Sequence, residues 1–140
     1  RHGHASAERV CSGDGLLDTF RVLCGADGAA THGIDTPAAV VEAALTPRQP
    51  QAVAALDVFC ALLGTVAGNL ALTLGARGGV YIGGGIVPRL GTRFDASAFR
   101  TRFEGKGRYA DYLRPIPVWV ITAPESPALM GAARSLDGLD

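Results

Sequence analysis

One short segment limits the folds open to this 140-residue chain more than any other: residues 78–89 read Gly-Gly-Val-Tyr-Ile-Gly-Gly-Gly-Ile-Val-Pro-Arg. The β-branched and aromatic run Val80, Tyr81 and Ile82 predicts a buried strand that ends at three consecutive glycines. Pro88 then fits the first turn of a helix, where its missing amide hydrogen costs nothing. A strand, a glycine turn and a helix start together let the backbone approach a ligand closely, as at the carboxyl ends of strands in α/β sheets.

The segment is not specific by itself. It departs from the Gly-x-Gly-x-x-Gly pattern, because Ile86, Val87 and Pro88 follow the triplet directly, and no Gly-Lys-Ser/Thr of a P-loop occurs in the chain. A tight turn without any ligand explains the same residues. Both interpretations therefore stay open on this evidence alone.

Charge and composition exclude some classes of protein. Lys plus Arg and Asp plus Glu number 13 each, so the formal net charge is zero, whereas a nucleic-acid binder normally presents a basic face. A hydrophobic content of 48% and 19 glycines fit a compact α/β domain with many turns. We therefore expect no nucleic-acid partner.

The cysteines and histidines predict neither disulfides nor a metal site. Cys11, Cys24 and Cys60 are odd in number, form no Cys-x-x-Cys pair and lie among apolar neighbours, as reduced thiols of a cytosolic protein do. His2 and His4 offer half of a zinc site, but no nearby acid or thiol completes it. No metal site is predicted from these residues.

Helical spacing and capping residues predict a mostly helical chain. The predicted helices are 6–10 (capped by Ser6), 15–24 (capped by Ser12), 36–45 (Thr36 cap, Pro37 in the first turn), 51–74, 96–104, 109–113 and 126–134 (capped by Ser126), with a loop at 25–35 and a second strand at 118–121. Two strands make a thin sheet for an independent α/β domain. Since the chain also opens at Arg1 rather than at a methionine, we expect a fragment of a longer protein.

The longest predicted helix, residues 51–74, is apolar around most of its circumference. Such a helix is either central in a core or spans a membrane, and residues 58–76 carry no charge. Polar Thr65 and Asn69, and the lack of flanking aromatic residues, favour a buried core helix. Gly64 and Gly68, four residues apart, predict close contact with a neighbouring element.

Taken together, the ordered motifs resemble the C-terminal part of bacterial glucokinases, the ATP-dependent, hexokinase-like, non-zinc group. The resemblance covers almost the whole chain and rests on these blocks: residues 3–10 (Gly-His-Ala-Ser-Ala-Glu-Arg-Val), 12–16 (Ser-Gly-Asp-Gly-Leu), 68–72 (Gly-Asn-Leu-Ala-Leu), 78–89, 103–109 (Phe-Glu-Gly-Lys-Gly-Arg-Tyr) and 116–118 (Ile-Pro-Val). It implies an α/β, actin-like ATPase or ribonuclease-H-like fold. Residues 1–120 would belong to the larger of two domains, and residues 121–140 would return to the smaller one.

The resemblance also implies roles for particular residues. Glu8 matches a glutamate that contacts glucose hydroxyls, and Gly83, Gly84 and Gly85 match an adenosine-binding turn. Asn69 is expected to be a buried polar residue that bonds backbone rather than ligand. Lys106 and Arg108 are expected either near nucleotide phosphate or, as is commoner for such a stretch, in a solvated turn.

As the resemblance implies it, the complete protein would be a cytoplasmic, homodimeric glucokinase that uses Mg²⁺ and ATP to phosphorylate glucose, with no membrane partner. The family's Asp-x-Gly-Gly-Thr loop, its Asn-Asp pair with the catalytic base and its Glu-Gly-Gly-His motif do not occur here. We expect them N-terminal to Arg1, so the 140 residues alone would not phosphorylate glucose. Two alternatives remain: another actin-like ATPase or hexose kinase, and a non-catalytic helical binding module.

Overall fold

The computed structural model describes residue 3 and residues 6–46, 48–123 and 127–137. These residues form a helix-rich structure with one small sheet, in agreement with the predicted α/β class. The helices and strands are α1 (Gly13–Asp27), α2 (Pro37–Leu45), α3 (Pro50–Leu74), β1 (Val80–Ile82), α4 (Thr92–Asp95), α5 (Phe99–Glu104), α6 (Ala110–Leu113), β2 (Val118–Val120) and α7 (Pro127–Asp137). Short 3-10 turns lie at Ala7–Arg9, Val87–Arg89 and Gly107–Tyr109.

α1 and α2 begin at the predicted caps. The Ser12 hydroxyl accepts a hydrogen bond from the Gly15 amide at 3.1 Å, and the Thr36 hydroxyl accepts one from the Ala39 amide at 3.2 Å. α1 is longer than predicted, because the helix continues through Gly25 and ends at Gly28, which takes the left-handed conformation with φ of 63°. Residues 25–27, predicted as loop, are therefore helical.

α3 is the central element of the helical core. It packs against α1, α2 and α5, and its buried residues include Leu56, Phe59 and Cys60. By length and composition α3 could also cross a membrane, since an 18-residue window has a mean hydropathy of 1.8, with 39% of that window buried. Since α1, α2 and α5 pack against it, part of α3 lies in the core of the described residues, in agreement with that aspect of the prediction.

The contact between α3 and α5 depends on two glycines. A Cβ at Gly64 would overlap the carbonyl group of Phe99, and a Cβ at Gly68 would overlap the carbonyl of Phe103. The predicted close approach at these glycines is confirmed. We call this contact the α3–α5 seam.

Three other predicted helices are shorter in the structure or partly replaced by 3-10 turns. Residues 96–104 are not one helix, because the Ser97 hydroxyl donates to the Phe94 carbonyl at 2.6 Å and accepts from the Phe99 amide at 3.2 Å, which ends α4 and starts α5. Residues 6–10 form only the 3-10 turn Ala7–Arg9, and Ser6 makes no side-chain cap. The predicted helix 109–113 is a 3-10 turn followed by α6.

β1 and β2 form a parallel pair, in register from Val80 beside Val118 to Ile82 beside Val120. The predicted strands are confirmed, the second one residue shorter. The prediction that β1 is buried was wrong for its middle residue, because Tyr81 is 66% exposed and stacks on Trp119 with ring centroids 4.9 Å apart. Period-two alternation puts Tyr81 on the opposite face from buried Ile82.

α7 extends beyond the predicted end at Arg134 to Asp137, with the side chains of residues 128–136 exposed. Its predicted cap, Ser126, lies outside the described residues, as do His2 and His4.

Candidate functional site

The three glycines after β1, here called the triglycine turn (Gly83, Gly84 and Gly85), are exposed at the carboxyl end of the strand. Gly84 has φ of 107°, a conformation that L side chains rarely adopt. Among the residues that the structure describes, a Cβ at Gly85 would meet no atom within 4 Å, and one at Gly83 would only touch Ile121 at 3.7 Å. Protein packing therefore does not explain glycine at positions 83 and 85.

The triglycine turn forms one wall of a cavity of about 340 Å³. Ligand pockets usually begin at roughly 300 Å³ and combine apolar walls with a few polar groups. Apolar residues from α3 and from the segment around the turn line it, together with three residues at the start of α1: Cys11, Ser12, Gly13, Phe59, Leu63, Ile82, Ile86 and Val87. We call this space the turn cavity.

Gly15 positions residues 11–13, which also line the turn cavity. A Cβ at Gly15 would overlap the carbonyl of Arg9, so the 3-10 turn Ala7–Arg9 lies directly against the first turn of α1. Gly15 of the Ser-Gly-x-Gly block therefore has a structural reason, whereas a Cβ at Gly13 would only touch the Pro37 side chain at 3.4 Å. Ser12 caps the helix that borders the cavity.

Cys11 is half-buried in the wall of the turn cavity, and burial raises the pKa of its thiol. A thiol in this state is neutral near pH 7 and offers a weak nucleophile. Among the residues that the structure describes, no three His, Cys, Asp or Glu side chains come together as metal ligands. The cavity therefore offers backbone, apolar side chains, the Ser12 hydroxyl and a neutral thiol, which suit binding of a ligand.

A second cavity, of about 300 Å³, shares Gly85 and Ile86 with the turn cavity. Its other lining residues come from the start of α2 and from the 3-10 turn after the glycines: Thr36, Pro37, Ala38, Val41 and Arg89. The triglycine turn thus has open space on two sides.

Glu8 lies exposed in the 3-10 turn Ala7–Arg9. It is not among the residues that line the two cavities at the triglycine turn. The structure holds Glu8 near the start of α1 through Gly15, but it does not bring the carboxylate into the cavity. Its sugar-binding role remains a prediction.

The expectation for Asn69 was wrong, as was the solvated-turn alternative for Lys106, whereas a place for Lys106 near nucleotide phosphate stays a prediction. Asn69 is exposed rather than buried, because it follows Gly68 and points about 100° away from the seam. Lys106 does not lie in a solvated turn: its Nζ donates to the Thr65 carbonyl of α3 at 2.9 Å, and burial, followed by the nearby charge of Arg102, lowers the pKa of the ammonium.

Arg108 agrees with the solvated-turn interpretation, since it is exposed and its guanidinium bonds the Tyr109 hydroxyl at 3.1 Å. Conversely, the sequence did not reveal that Cys11, Ser12, Phe59 and Leu63 share a cavity with the triglycine turn. The glycine-rich start of α1 was the one sequence feature that pointed to this region. That feature did not indicate that the start of α1 would lie beside the triglycine turn.

A parallel strand that ends in a glycine turn against an open cavity is typical of α/β proteins, in which ligands usually lie at the carboxyl ends of the strands. The family model described as Glucokinase matches residues 1–138, so the chain belongs to the glucokinase family. It is 56% identical to the glucokinase of Chromobacterium violaceum over 136 residues, which is 97% of this chain and 38% of that protein. It is 54% identical to that of Aromatoleum aromaticum, over 98% of this chain and 41% of that protein.

A solved structure supports the same family membership. The glucokinase from an Antarctic psychrotroph, determined at 1.69 Å, superimposes with a TM-score of 0.82 at 37% identity, over 98% of this chain and 42% of that one. The chain therefore spans about two fifths of the length of the relatives that it matches.

Proposed function

We propose that the full-length protein is a glucokinase, which transfers the γ-phosphoryl group of ATP to the 6-hydroxyl of glucose in glycolysis. The observation that carries this proposal is the 54–56% identity to glucokinases across nearly the whole chain. The open triglycine turn supports it, because nucleotides bind at the carboxyl ends of strands in α/β sheets.

We place the adenosine of ATP in the turn cavity, against the triglycine turn. The lining of Phe59, Leu63 and Ile86 suits an aromatic base, and backbone without side chains at Gly83 and Gly85 lets a ligand come close. In the described part of the chain no atom would contact a Cβ at Gly85, which distinguishes this turn from glycines that protein packing requires.

For glucose we propose Glu8 as one binding residue. A carboxylate accepts charge-assisted hydrogen bonds from vicinal hydroxyls, and Glu8 is exposed at the start of α1, next to the segment that lines the turn cavity. Sugar and nucleotide would then approach each other at this end of α1. The general base would come from outside these 140 residues, where the family's Asn-Asp pair belongs.

Mg²⁺ prefers oxygen ligands and is usually held by substrate phosphates and one or two carboxylates. The part of the chain that the structure describes contains no cluster of three acidic or other ligating side chains. We therefore place Mg²⁺ on the phosphates of ATP, where it would neutralise charge during transfer. This chain would contribute binding and orientation rather than metal ligands.

The wider organisation is also part of the proposal. We infer an actin-like, ribonuclease-H-like fold, with residues 1–120 in the larger domain and 121–140 returning to the smaller one. The exposed helix α7, with apolar Leu129 and Leu136 in solvent, fits a segment that packs on another domain. We further propose a cytoplasmic homodimer that binds neither nucleic acid nor membrane.

A sugar-kinase assay of the full-length protein tests the proposal. Glu8→Ala should raise the KM for glucose at least about tenfold and leave that for ATP nearly unchanged, since the carboxylate would contact only the sugar. Glu42→Ala is the matched control, because Glu42 is also an exposed glutamate but lies on α2. This variant should change neither the KM for glucose nor the KM for ATP. If wild type phosphorylates a different hexose and not glucose, the glucokinase proposal is wrong.

A further inference from the structure

Arg100 on α5 binds the loop that leads into β2. Its Nη1 donates to the Ile116 carbonyl at 2.8 Å and its Nη2 to the Arg114 carbonyl at 2.6 Å, with the Leu113 carbonyl at 3.5 Å. Its Nε donates to Glu104 at 2.5 Å. The planar guanidinium therefore joins one helix to several backbone carbonyls at once, which a lysine ammonium cannot do in the same geometry.

The bonded loop sets the start of the sheet. Ile116 is 2% exposed, and the next residue, Pro117, accepts a hydrogen bond from the Val80 amide at 2.9 Å. That bond is the first between β1 and the β2 chain, and the pairing continues to the Ile121 amide, which donates to the Ile82 carbonyl at 2.9 Å. A displaced Ile116 carbonyl would therefore shift β1, whose end is the triglycine turn.

The other end of this connection is closely packed. α5 is held against α3 by the seam, and the Arg100 guanidinium lies over the Phe103 ring, 5.0 Å from its centroid. α3 itself supplies Phe59 and Leu63 to the turn cavity. Arg100 thus links the α3 wall of the cavity to the strand that carries its glycine wall.

We propose that Arg100 is a positioning residue for the nucleotide site: it sets the distance between α3 and the triglycine turn. This inference rests on the proposed function, because it assumes that the nucleotide binds in the turn cavity. It predicts a selective loss of nucleotide binding rather than a uniform loss of stability.

The kinetic test compares Arg100→Met with Arg114→Met in the full-length protein. Methionine keeps the apolar stem and removes all the guanidinium bonds, so the KM for ATP should rise by about tenfold or more, since small displacements of binding groups are costly. The KM for glucose should change by less than about twofold. Arg114→Met removes an arginine whose side chain is 65% exposed and pairs with Asp111 and, at 4.0 Å, with Glu104. This control perturbs the same glutamate but leaves every bond from Arg100 to the loop carbonyls in place, so both KM values should stay at wild type.

Amide hydrogen exchange supplies a readout that needs no activity. Exchange should accelerate at residues 80–86 in Arg100→Met and stay unchanged in α2, and Arg100→Lys should show an intermediate rate. If Arg100→Met fails to fold, Arg100→Lys provides both measurements.

An unchanged KM for ATP in active variants, or exchange that accelerates equally everywhere, would overturn the inference. A wild-type protein without glucokinase activity would instead refute the proposed function, and the exchange data would still decide the role of Arg100.

Discussion

The α3–α5 seam and the triglycine turn both depend on glycine, but their surroundings are opposite. In the seam, a Cβ at Gly64 or Gly68 would overlap backbone of the neighbouring helix. At the turn, a Cβ at Gly85 would meet nothing within 4 Å. Glycine in the seam therefore serves folding, whereas glycine in the turn leaves room that no part of the described chain uses. The difference separates a structural site from a candidate binding site without reference to any relative.

Gly64→Val tests the seam and should have the largest effect. The new side chain would meet the Phe99 backbone, which cannot move without displacing α5, so we expect a loss of about 3 kcal/mol or more in the free energy of unfolding. Urea denaturation of the full-length protein measures it. Gly25→Ala in α1 is the matched control, because its Cβ would meet nothing, and it should stabilise by about 0.5–1 kcal/mol. Similar losses in the two variants would break the comparison.

Gly85→Val tests the turn. Gly85 does not have a positive φ, so valine should change the free energy of unfolding by only about 0.5 kcal/mol. The side chain would enter the space shared by the two cavities, so the Kd for ATP should rise by about tenfold or more. Calorimetric titration with ATP measures this. An unchanged Kd for ATP would mean that the triglycine turn does not contact the nucleotide.

Ser12→Ala and Thr36→Ala decide which of the two cavities receives the nucleotide. Both variants lose a helix cap and should be destabilised alike, by about 1 kcal/mol. Only Ser12 lines the turn cavity, so only its variant should also bind ATP more weakly. The reverse pattern in titrations would move the nucleotide to the second cavity.

Lys106→Met has the smallest expected effect and tests the seam again. The folded pKa of Lys106 lies below the ordinary value of 10.5, so between the two values the unfolded chain binds more protons and stability rises with pH. Methionine removes the ammonium and keeps the stem beside Gly68. The difference in stability between wild type and variant should therefore shift in favour of wild type as the pH approaches 10.5. Equal pH profiles would show that Lys106 is not desolvated at the seam.

Much of the fold was predictable from local signals. Ser12 and Thr36 as caps, the strand before the triglycine turn and the close approach at Gly64 and Gly68 were all predicted and confirmed. These features depend on residues within a few positions of each other, or on the absence of a side chain. Predictions failed where a distant element decided the outcome: Lys106 bonds Thr65, 41 residues away, and this contact has no local signal.

The sequence by itself determined the helix starts and stops, the strand, the glycine turn and the family resemblance, because caps, hydrophobic periodicity and ordered motifs act along the chain. Tertiary structure alone decided which glycines face protein and which face open space, and it brought Cys11 and Ser12 against the triglycine turn. It also made Arg100 the link between α5 and the sheet. The physical reason is that clearance and long-range hydrogen bonds depend on how elements pack, and packing joins residues that are far apart in the sequence.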